Sequence, residues 1–491
     1  SYIYEILGKY NDALNYAQNC IKLCPDWYKG YYRAAKASEG LLNSEMACEY
    51  YSKIKELVNI NDLQKKEQND IYNVDISVLK KWLQSCGANL GDVEIEYYDV
   101  DYRGICVSKT IKPNDFIMKI PLDCVISLED SKYHGTNAKL LDLGAVYNSP
   151  HTHLAISLLD AKYDYEGKYK YYIKCFPKYF GNVPINFNRE KLKQLKGSYA
   201  LVKIAQKIFF LKAEYNNILK LMPTFQYSYE DFVWARTCVI TRVYAVDRTI
   251  DGKKIKDTIL VPFADMANHV MQPNTHWYFD EAVNSFIVKA ASYINKGDNL
   301  FESYGKKNNY RYFVNYGFTV ENNLYDEVAV ATNPLLQKLI SDGSIKEEMI
   351  NYINTSCEIF QIGYNKNSAE LQKMLKFVSE KCSKILNLED GISPPADQVY
   401  NFIIIIMNNM LNGFDTSLEE DLQILKTYDL GFDMRNCVIQ RIGEKKLLHH
   451  YINYFRDLIH LENTKNSIEK RKLSKKIEKK YITPYLKEIN F

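Results

Sequence analysis

Three blocks of residues, far apart in the chain, carry side chains that could hold a small polar molecule and do chemistry beside it. The first is Asp101-Tyr102-Arg103-Gly104-Ile105, followed by Ile111-Lys112-Pro113-Asn114-Asp115 and Ile120-Pro121. A glycine between short strands lets backbone approach a ligand closely because it has no Cβ, although an Arg-Gly pair on its own reads as a turn. The second block runs from Ala235-Arg236 through Thr241-Arg242-Val243-Tyr244 to Leu260-Val261-Pro262-Phe263-Ala264-Asp265-Met266-Ala267-Asn268-His269. The guanidinium of Arg242 suits a carboxylate, which it can grip through two parallel hydrogen bonds. An Asn-His pair in a loop is unremarkable in isolation; the apolar strand and Asp265 just before it make this block more specific. The third block is Ile294-Asn295-Lys296-Gly297-Asp298, then Phe301-Glu302-Ser303-Tyr304-Gly305, Asn308-Asn309, Asn315-Tyr316-Gly317-Phe318 and Asn322-Asn323. In a chain with 41 tyrosines Tyr304 alone would read as packed core, but it sits in Ser-Tyr-Gly, 12 residues before Tyr316.

The elements that must position these blocks are short strands split by helices. A helix from Ile76 (Val78, Leu79, Trp82, Leu83) leads to Gly87, and β-prone runs follow at Val93 to Tyr98, Ile105 to Val107, Phe116 to Ile120 and Cys124 to Ser127. From Leu128 to about Val239 the apolar spacing turns helical, most clearly in Leu201 to Leu221. Strand-like runs resume at Ile259 to Val261, Trp277 to Phe279, Phe286 to Val288 and Leu300 to Ser303. From about Pro334 to the end the pattern is one of amphipathic helices, including Leu371 to Phe377, Gln398 to Met410 and Leu447 to Leu461. The basic last segment, Lys470 to Lys480, reads as a solvated helix face.

Before these elements stands an internal repeat. Leu7-Gly8-Lys9-Tyr10 before Ala13-Leu14 recurs as Leu41-Leu42-Asn43-Ser44 before Ala47-Cys48, a shift of 34 residues. That is the tetratricopeptide (TPR) period, with small residues at Ala13 and Ala47 that let paired helices approach, and Pro25 as a helix stop. Ser1 falls inside a repeat, so a longer chain is expected. Asn59 to Asn73 is polar and without sustained periodicity, a linker. The division expected is therefore 1–60 TPR-like helices, 61–75 linker, 76–128 and 235–326 the two parts of a β module, 129–234 a helical insert, and 327–491 a helical domain.

With 46% hydrophobic and 25% charged residues the 491-residue chain is ordinarily globular, enough for roughly three domains. A net charge of +3 sets up no strong field toward nucleic acid or an anionic membrane. The longest apolar run, Phe402 to Met407, is too short to span a bilayer, and no signal-like segment opens the sequence. Eleven scattered cysteines fit reduced thiols, in the cytoplasm or else the nucleus. Cys20 and Cys24 are spaced like a metal-ligand pair, but no second pair joins them, and no metal is expected.

Taken together, the three blocks resemble SET-domain protein methyltransferases of the Rubisco large-subunit and actin-histidine types, most specifically over residues 235 to 323. After Phe318 the only cysteines are Cys357, Cys382 and Cys437, so the Cys-rich zinc segment of many SET enzymes is missing. A split β module, helical insert and helical C-terminus resemble the Rubisco type, whose helical domain binds substrate. The fold implied is α+β: a pseudo-knotted SET β-fold with a helical insert, between TPR-like helices and an all-helical C-terminal domain.

The resemblance also implies roles. S-adenosylmethionine is the cofactor and S-adenosylhomocysteine its product. Tyr304 is the catalytic residue, its hydroxyl near the transferring methyl. Arg103, Gly104 and Ile105 contribute backbone to the cofactor, Arg242 meets its carboxylate, Asn268 its amino end, the His269 backbone its adenine, and Phe318 packs on the adenine; Asp265 orders the loop. Thr241, Tyr244 and Tyr316 face the substrate, with Tyr244, Tyr304 and Tyr316 forming an aromatic channel. Such a channel lowers a lysine pKa by desolvation, which methylation needs because an ammonium has no lone pair. Actin-histidine enzymes carry Asn at the position of Tyr244 and Trp at that of Ala264; Asn bonds imidazole, whereas Tyr beside a small residue suits an aliphatic amine. The expected activity is lysine N-methylation of a non-histone protein, with histidine methylation or an inactive TPR/SET scaffold as alternatives. The expected partners are a protein substrate and a protein held by the repeats, not nucleic acid or membrane.

Overall fold

The computed structural model describes residues 10–23, 25, 28–41, 43, 46, 49–50, 53, 76–99, 102–147, 149–333, 359–365, 368–389, 391–427 and 430–485. Its strands, in chain order, are β1 (Val93–Asp99), β2 (Tyr102–Val107), β3 (Phe116–Pro121), β4 (Ile126–Ser127), β5 (Val243–Ile250), β6 (Lys253–Leu260), β7 (Asn268–His269), β8 (Thr275–Asp280), β9 (Ser285–Ala290), β10 (Asn299–Glu302), β11 (Glu327–Ala331) and β12 (Ile359–Gly363).

These strands make four small sheets, and one of them gathers all three blocks. Its order is β1-β2-β10-β7. β2 pairs antiparallel with β1, Gly104 opposite Glu96, and with β10, Ile105 opposite Leu300. β10 pairs parallel with β7, Phe301 opposite Asn268 and Glu302 opposite His269. The sheets β3-β9-β8 and β4-β6-β5 pack around it. Their shared core holds Leu79 and Leu83 from the 76–85 helix, Ile105, Ile120, Phe286 and Leu300 from strands, and Leu158, Phe232 and Val239 from helices between β4 and β5.

Those helices include His151–Tyr163, Tyr199–Leu221 and Tyr229–Arg242. Ser198 and Ser228 cap the last two, each side chain accepting a hydrogen bond from a first-turn N–H. Tyr229–Arg242 runs straight into β5, so Arg242 and Tyr244 sit at a helix-to-strand junction.

Two features differ from the sequence reading. β5 and most of β6 form a hairpin where strands were expected only from Ile259. The burial of β5 alternates strictly, and the turn is Asp251-Gly252 with both φ positive, the Asp-Gly signature of a tight hairpin. Charge on both faces hid it: Arg248 and Asp257 are buried as an ion pair, and Lys253, Lys254 and Lys256 face outward. The C-terminal region is also not all helical: β11 and β12 pair antiparallel, Glu327 opposite Gly363, and Val328, Val330, Phe360 and Ile362 lie in one core with Met374, Ile403, Leu447 and Phe455 from the helices Ala369–Ile385, Ala396–Leu411 and Phe432–Asn463. These strands are five residues each, too short to show a period.

At the other end, helices Tyr10–Leu23 and Tyr28–Gly40 pack with Ala13, Ala17, Ala34, Ala35 and Ala37 buried. Leu7 to Lys9, Leu42, Ser44, Ala47 and Cys48 of the repeat, Cys24, the 61–75 linker and Asp101 lie outside the described residues. No described helix is long and apolar enough to cross a membrane.

Candidate active site

The sheet β1-β2-β10-β7 fixes the site's backbone frame. Asn268 Nδ2 donates to the Arg103 carbonyl at 2.8 Å, tying the second block to the first. Gly104 and Ile105 are buried, and the Arg103 guanidinium turns away to donate to the Cys175 carbonyl at 2.6 Å, so this segment offers backbone rather than side chains.

Just past β10, Tyr304 is held at both ends. Its backbone N–H donates to His269 Nδ1 at 3.0 Å and its hydroxyl to the Ala267 carbonyl at 2.9 Å. Its ring stacks on His269 on one side, centroids 5.1 Å apart at 27°, and on Tyr316 on another, 5.0 Å at 28°. Tyr316 ends the Asn309–Tyr316 helix, whose cap Gly317 is left-handed, φ 80°. A Cβ there would come within 2.8 Å of the Asn182 backbone, so only glycine makes this turn, and it lays Phe318 5.8 Å from His269 and 5.1 Å from Tyr312.

Arg242, at the end of its helix, pairs with Asp265 Oδ2 at 3.2 Å and reaches the Asp265 carbonyl at 3.3 Å. Tyr172 donates to the same carboxylate at 2.6 Å, and Phe176 lies 5.1 Å from the guanidinium carbon. Burial works against the charge on Arg242, but Asp265 and Tyr172 outweigh it and hold its pKa up.

Tyr244 is buried deeper than Tyr304 or Tyr316, its ring against Trp277 and Phe286. Its hydroxyl stands 3.0 Å from the Ala264 carbonyl and 2.9–3.0 Å from both oxygens of Glu302. Thr241 is not brought into this group: its hydroxyl donates back to the Thr237 carbonyl at 2.8 Å in its own helix. The remaining residues read from the sequence (Arg103, Gly104, Ile105, Arg242, Tyr244, Asp265, Asn268, His269, Tyr304, Tyr316, Phe318) converge on one region. Sequence reasoning gave no role to Tyr172, Phe176, Glu302 or Tyr312. Glu302 lay inside the third block, where a lone carboxyl among apolar strand residues was the available signal.

Burial sets the protonation states. It lowers the His269 pKa to about 4, assisted by the Lys307 charge, so at neutral pH the ring is neutral. Because Nδ1 accepts from Tyr304, the proton sits on Nε2. Burial raises the Tyr316 phenol to about 12 and Tyr304 further. Both stay protonated.

Three buried atoms in the site have no hydrogen-bond partner: Arg242 Nε, Asp265 Oδ1 and His269 Nε2. Arg242 Nε and His269 Nε2 are unused donors and Asp265 Oδ1 an unused acceptor, beside stacked aromatic rings. This set fits a ligand with a zwitterionic amino-acid end and a flat ring.

Residues 102–305 match the family model described as SET domain, and residues 344–448 that described as Rubisco LSMT substrate-binding. The chain thus carries a SET domain followed by a domain of the Rubisco LSMT substrate-binding kind. Among curated relatives, the actin-histidine N-methyltransferase of Danio rerio is 23% identical over 421 residues, covering 77% of this chain and 67% of that protein. The Homo sapiens actin-histidine N-methyltransferase is 22% identical over 409 residues, covering 75% and 66%. The solved SET domain of LSMT bound to lysine and AdoHcy aligns with a TM-score of 0.63 at 19% identity, covering 81% of this chain and 94% of that one. Rubisco LSMT bound to AdoMet aligns with 0.62 at 19%, covering 82% and 96%. These alignments share the fold.

Proposed function

We propose that this protein is an S-adenosylmethionine-dependent protein N-methyltransferase with lysine as its acceptor. The observation that carries it is Tyr304, an uncharged hydroxyl pinned to the Ala267 carbonyl and sandwiched between His269 and Tyr316 beside the unused donors and acceptor of Arg242, Asp265 and His269. When bound, the cofactor supplies an electrophilic methyl on a sulfonium. Arg242 and Asp265 would hold its amino-acid end, Asn268 keeps β7 fastened to β2, and Phe318 would face its ring. The rings of Tyr244, Tyr304 and Tyr316 favour the neutral amine of the acceptor over its ammonium by excluding water, and Tyr304 orients it.

Lysine is favoured over histidine by Tyr244: its hydroxyl is spent on Ala264 and Glu302, so it does not offer an imidazole a hydrogen bond, and Ala264 beside it is small. The histidine reading rests on the curated relatives, named actin-histidine methyltransferases. A role for the first 60 residues in holding a partner, and residence in the cytoplasm, complete the proposal. The test is mass spectrometry of labelled methyl transfer into a cell lysate, comparing this protein with Tyr304→Phe. Loss of one positioned hydroxyl is expected to lower incorporation by about 10²-fold or more. Methyllysine in the wild type alone supports the reading, methylhistidine replaces it with the second, and equal incorporation by both proteins refutes the role of Tyr304.

A further inference from the structure

Three oxygens crowd the Tyr244 hydroxyl: the Ala264 carbonyl at 3.0 Å, Glu302 Oε1 at 3.0 Å and Glu302 Oε2 at 2.9 Å. A phenol has one proton to donate and can also accept. If Glu302 were a carboxylate, that proton would serve one oxygen and the others would face the phenol oxygen unbonded. A second proton leaves one contact unbonded instead of two, and the carboxyl of Glu302 is the group that can carry it. The side chain is 8% exposed, and among the described residues no cation pairs with it; Arg242, the nearby candidate, is engaged by Asp265.

We propose that Glu302 works as a neutral carboxylic acid that donates to Tyr244, which in turn donates to the Ala264 carbonyl, so that Glu302 positions the Tyr244 wall of the acceptor channel. This rests on the lysine reading above. Each group around Glu302 agrees with a neutral acid. Tyr244 from β5, Tyr304 after β10 and Tyr316 from the Asn309–Tyr316 helix are all phenols that its negative charge would disturb. His269, opposite it on β7, is uncharged at neutral pH. The charge that acts on it is that of Asp265, which also disfavours ionisation of Glu302. Burial, with Asp265 adding, lifts its pKa to about 8 against the opposing Tyr244 hydrogen bond. A neutral acid beside the channel also leaves the acceptor's ammonium without a buried counter-charge, so the free amine is not disfavoured there. When Glu302 ionises above about pH 8, Tyr244 turns its proton to the carboxylate and the Ala264 contact is released.

Glu302→Gln supplies a neutral donor and acceptor of the same shape; Glu302→Leu supplies neither. Infrared difference spectra of the intact protein, wild type minus Glu302→Gln, are expected to show a carboxylic-acid carbonyl band at neutral pH that gives way to carboxylate in alkaline buffer. A carboxylate band already present at neutral pH overturns the proposal whether or not the protein transfers methyl groups. In methyl-transfer assays across pH, Glu302→Gln is expected to hold kcat/KM within about twofold of wild type at pH 7 and to lack its alkaline decline. Glu302→Leu loses about tenfold, the effect of one neutral hydrogen bond. Equal losses in the two variants, or an unchanged alkaline limb in Glu302→Gln, also overturn it. If the wild type itself transfers no methyl, the proposed function fails and the infrared result alone decides on Glu302.

Discussion

At the scale of single residues, the site works by occupying hydrogen bonds so that a few remain unused in chosen places. Asp265 shows the economy of this. One oxygen takes both Arg242 and Tyr172 while the other, buried, takes nothing. Tyr172 lies in the short Lys170–Lys174 helix, 93 positions away in sequence, and touches no group assigned to substrate. Tyr172→Phe keeps its ring against Phe176 and removes only the hydroxyl. The bond runs to a charged acceptor in a dry setting, so its loss should cost about 1.5–3 kcal/mol in urea denaturation. It should also weaken S-adenosylmethionine binding by loosening the carboxylate that holds Arg242. An unchanged denaturation midpoint would mean that the bond contributes nothing. Tyr172 was not legible as a site residue. Arg242, Asn268, His269 and Tyr304 sit in short local patterns, whereas Tyr172 is one of 41 tyrosines, and only the folded chain brings it to Asp265.

At the scale of elements, the Asn309–Tyr316 helix aims the site's aromatic wall, because it starts in a polar anchor and ends in Tyr316-Gly317-Phe318. Asn308 caps it, accepting from the Arg311 N–H, and Asp326 accepts both the backbone N–H and the side-chain Nδ2 of Asn309 at 2.9 and 3.0 Å. Asn323 donates to the Lys307 carbonyl, locking the same turn from the other side. Of the Asn308-Asn309 and Asn322-Asn323 pairs noticed in the sequence, Asn308, Asn309 and Asn323 therefore form one anchor, whereas Asn322 accepts from Lys446. Their spacing was legible; Asp326, the acceptor between them, was not, since an acid next to Glu327 reads as surface. Asp326→Ala leaves the buried Asn309 N–H without its acceptor and should cost about 1–3 kcal/mol. Because the displaced element carries Tyr316, methyl transfer should fall more steeply than cofactor affinity. Equal falls in both would place the damage elsewhere.

At the scale of the whole molecule, the Phe432–Asn463 helix fastens the C-terminal region to the SET domain with polar groups as well as an apolar face. Asp421 takes Arg441 at 2.6 Å and Lys445 at 2.6 Å, and Arg441 also donates to the Gln194 carbonyl. Asn436 accepts from Thr319, two residues past Gly317. A long amphipathic helix could be read from the sequence there, but these partners come from three distant segments, so the pattern showed the face and not what it met. Glu444 occupies the centre of this junction, where Ser198 and Gln440 both donate to Oε1, each at 2.9 Å. Burial lifts its pKa to about 8, despite those two bonds, whereas an unfolded glutamate titrates near 4.5. Between these values the folded chain holds a proton that the unfolded chain has released, so stability falls as pH rises through this window. Below about pH 4.5 the contribution is fully present, and above about pH 8 it is gone. Glu444→Gln has no proton to lose and keeps an acceptor for Ser198. Urea denaturation at pH 5 and pH 8 should therefore show a smaller loss of stability for Glu444→Gln than for the wild type. Parallel losses in the two proteins would mean that Glu444 is already ionised in the fold, and that the junction holds a buried charge rather than a buried acid.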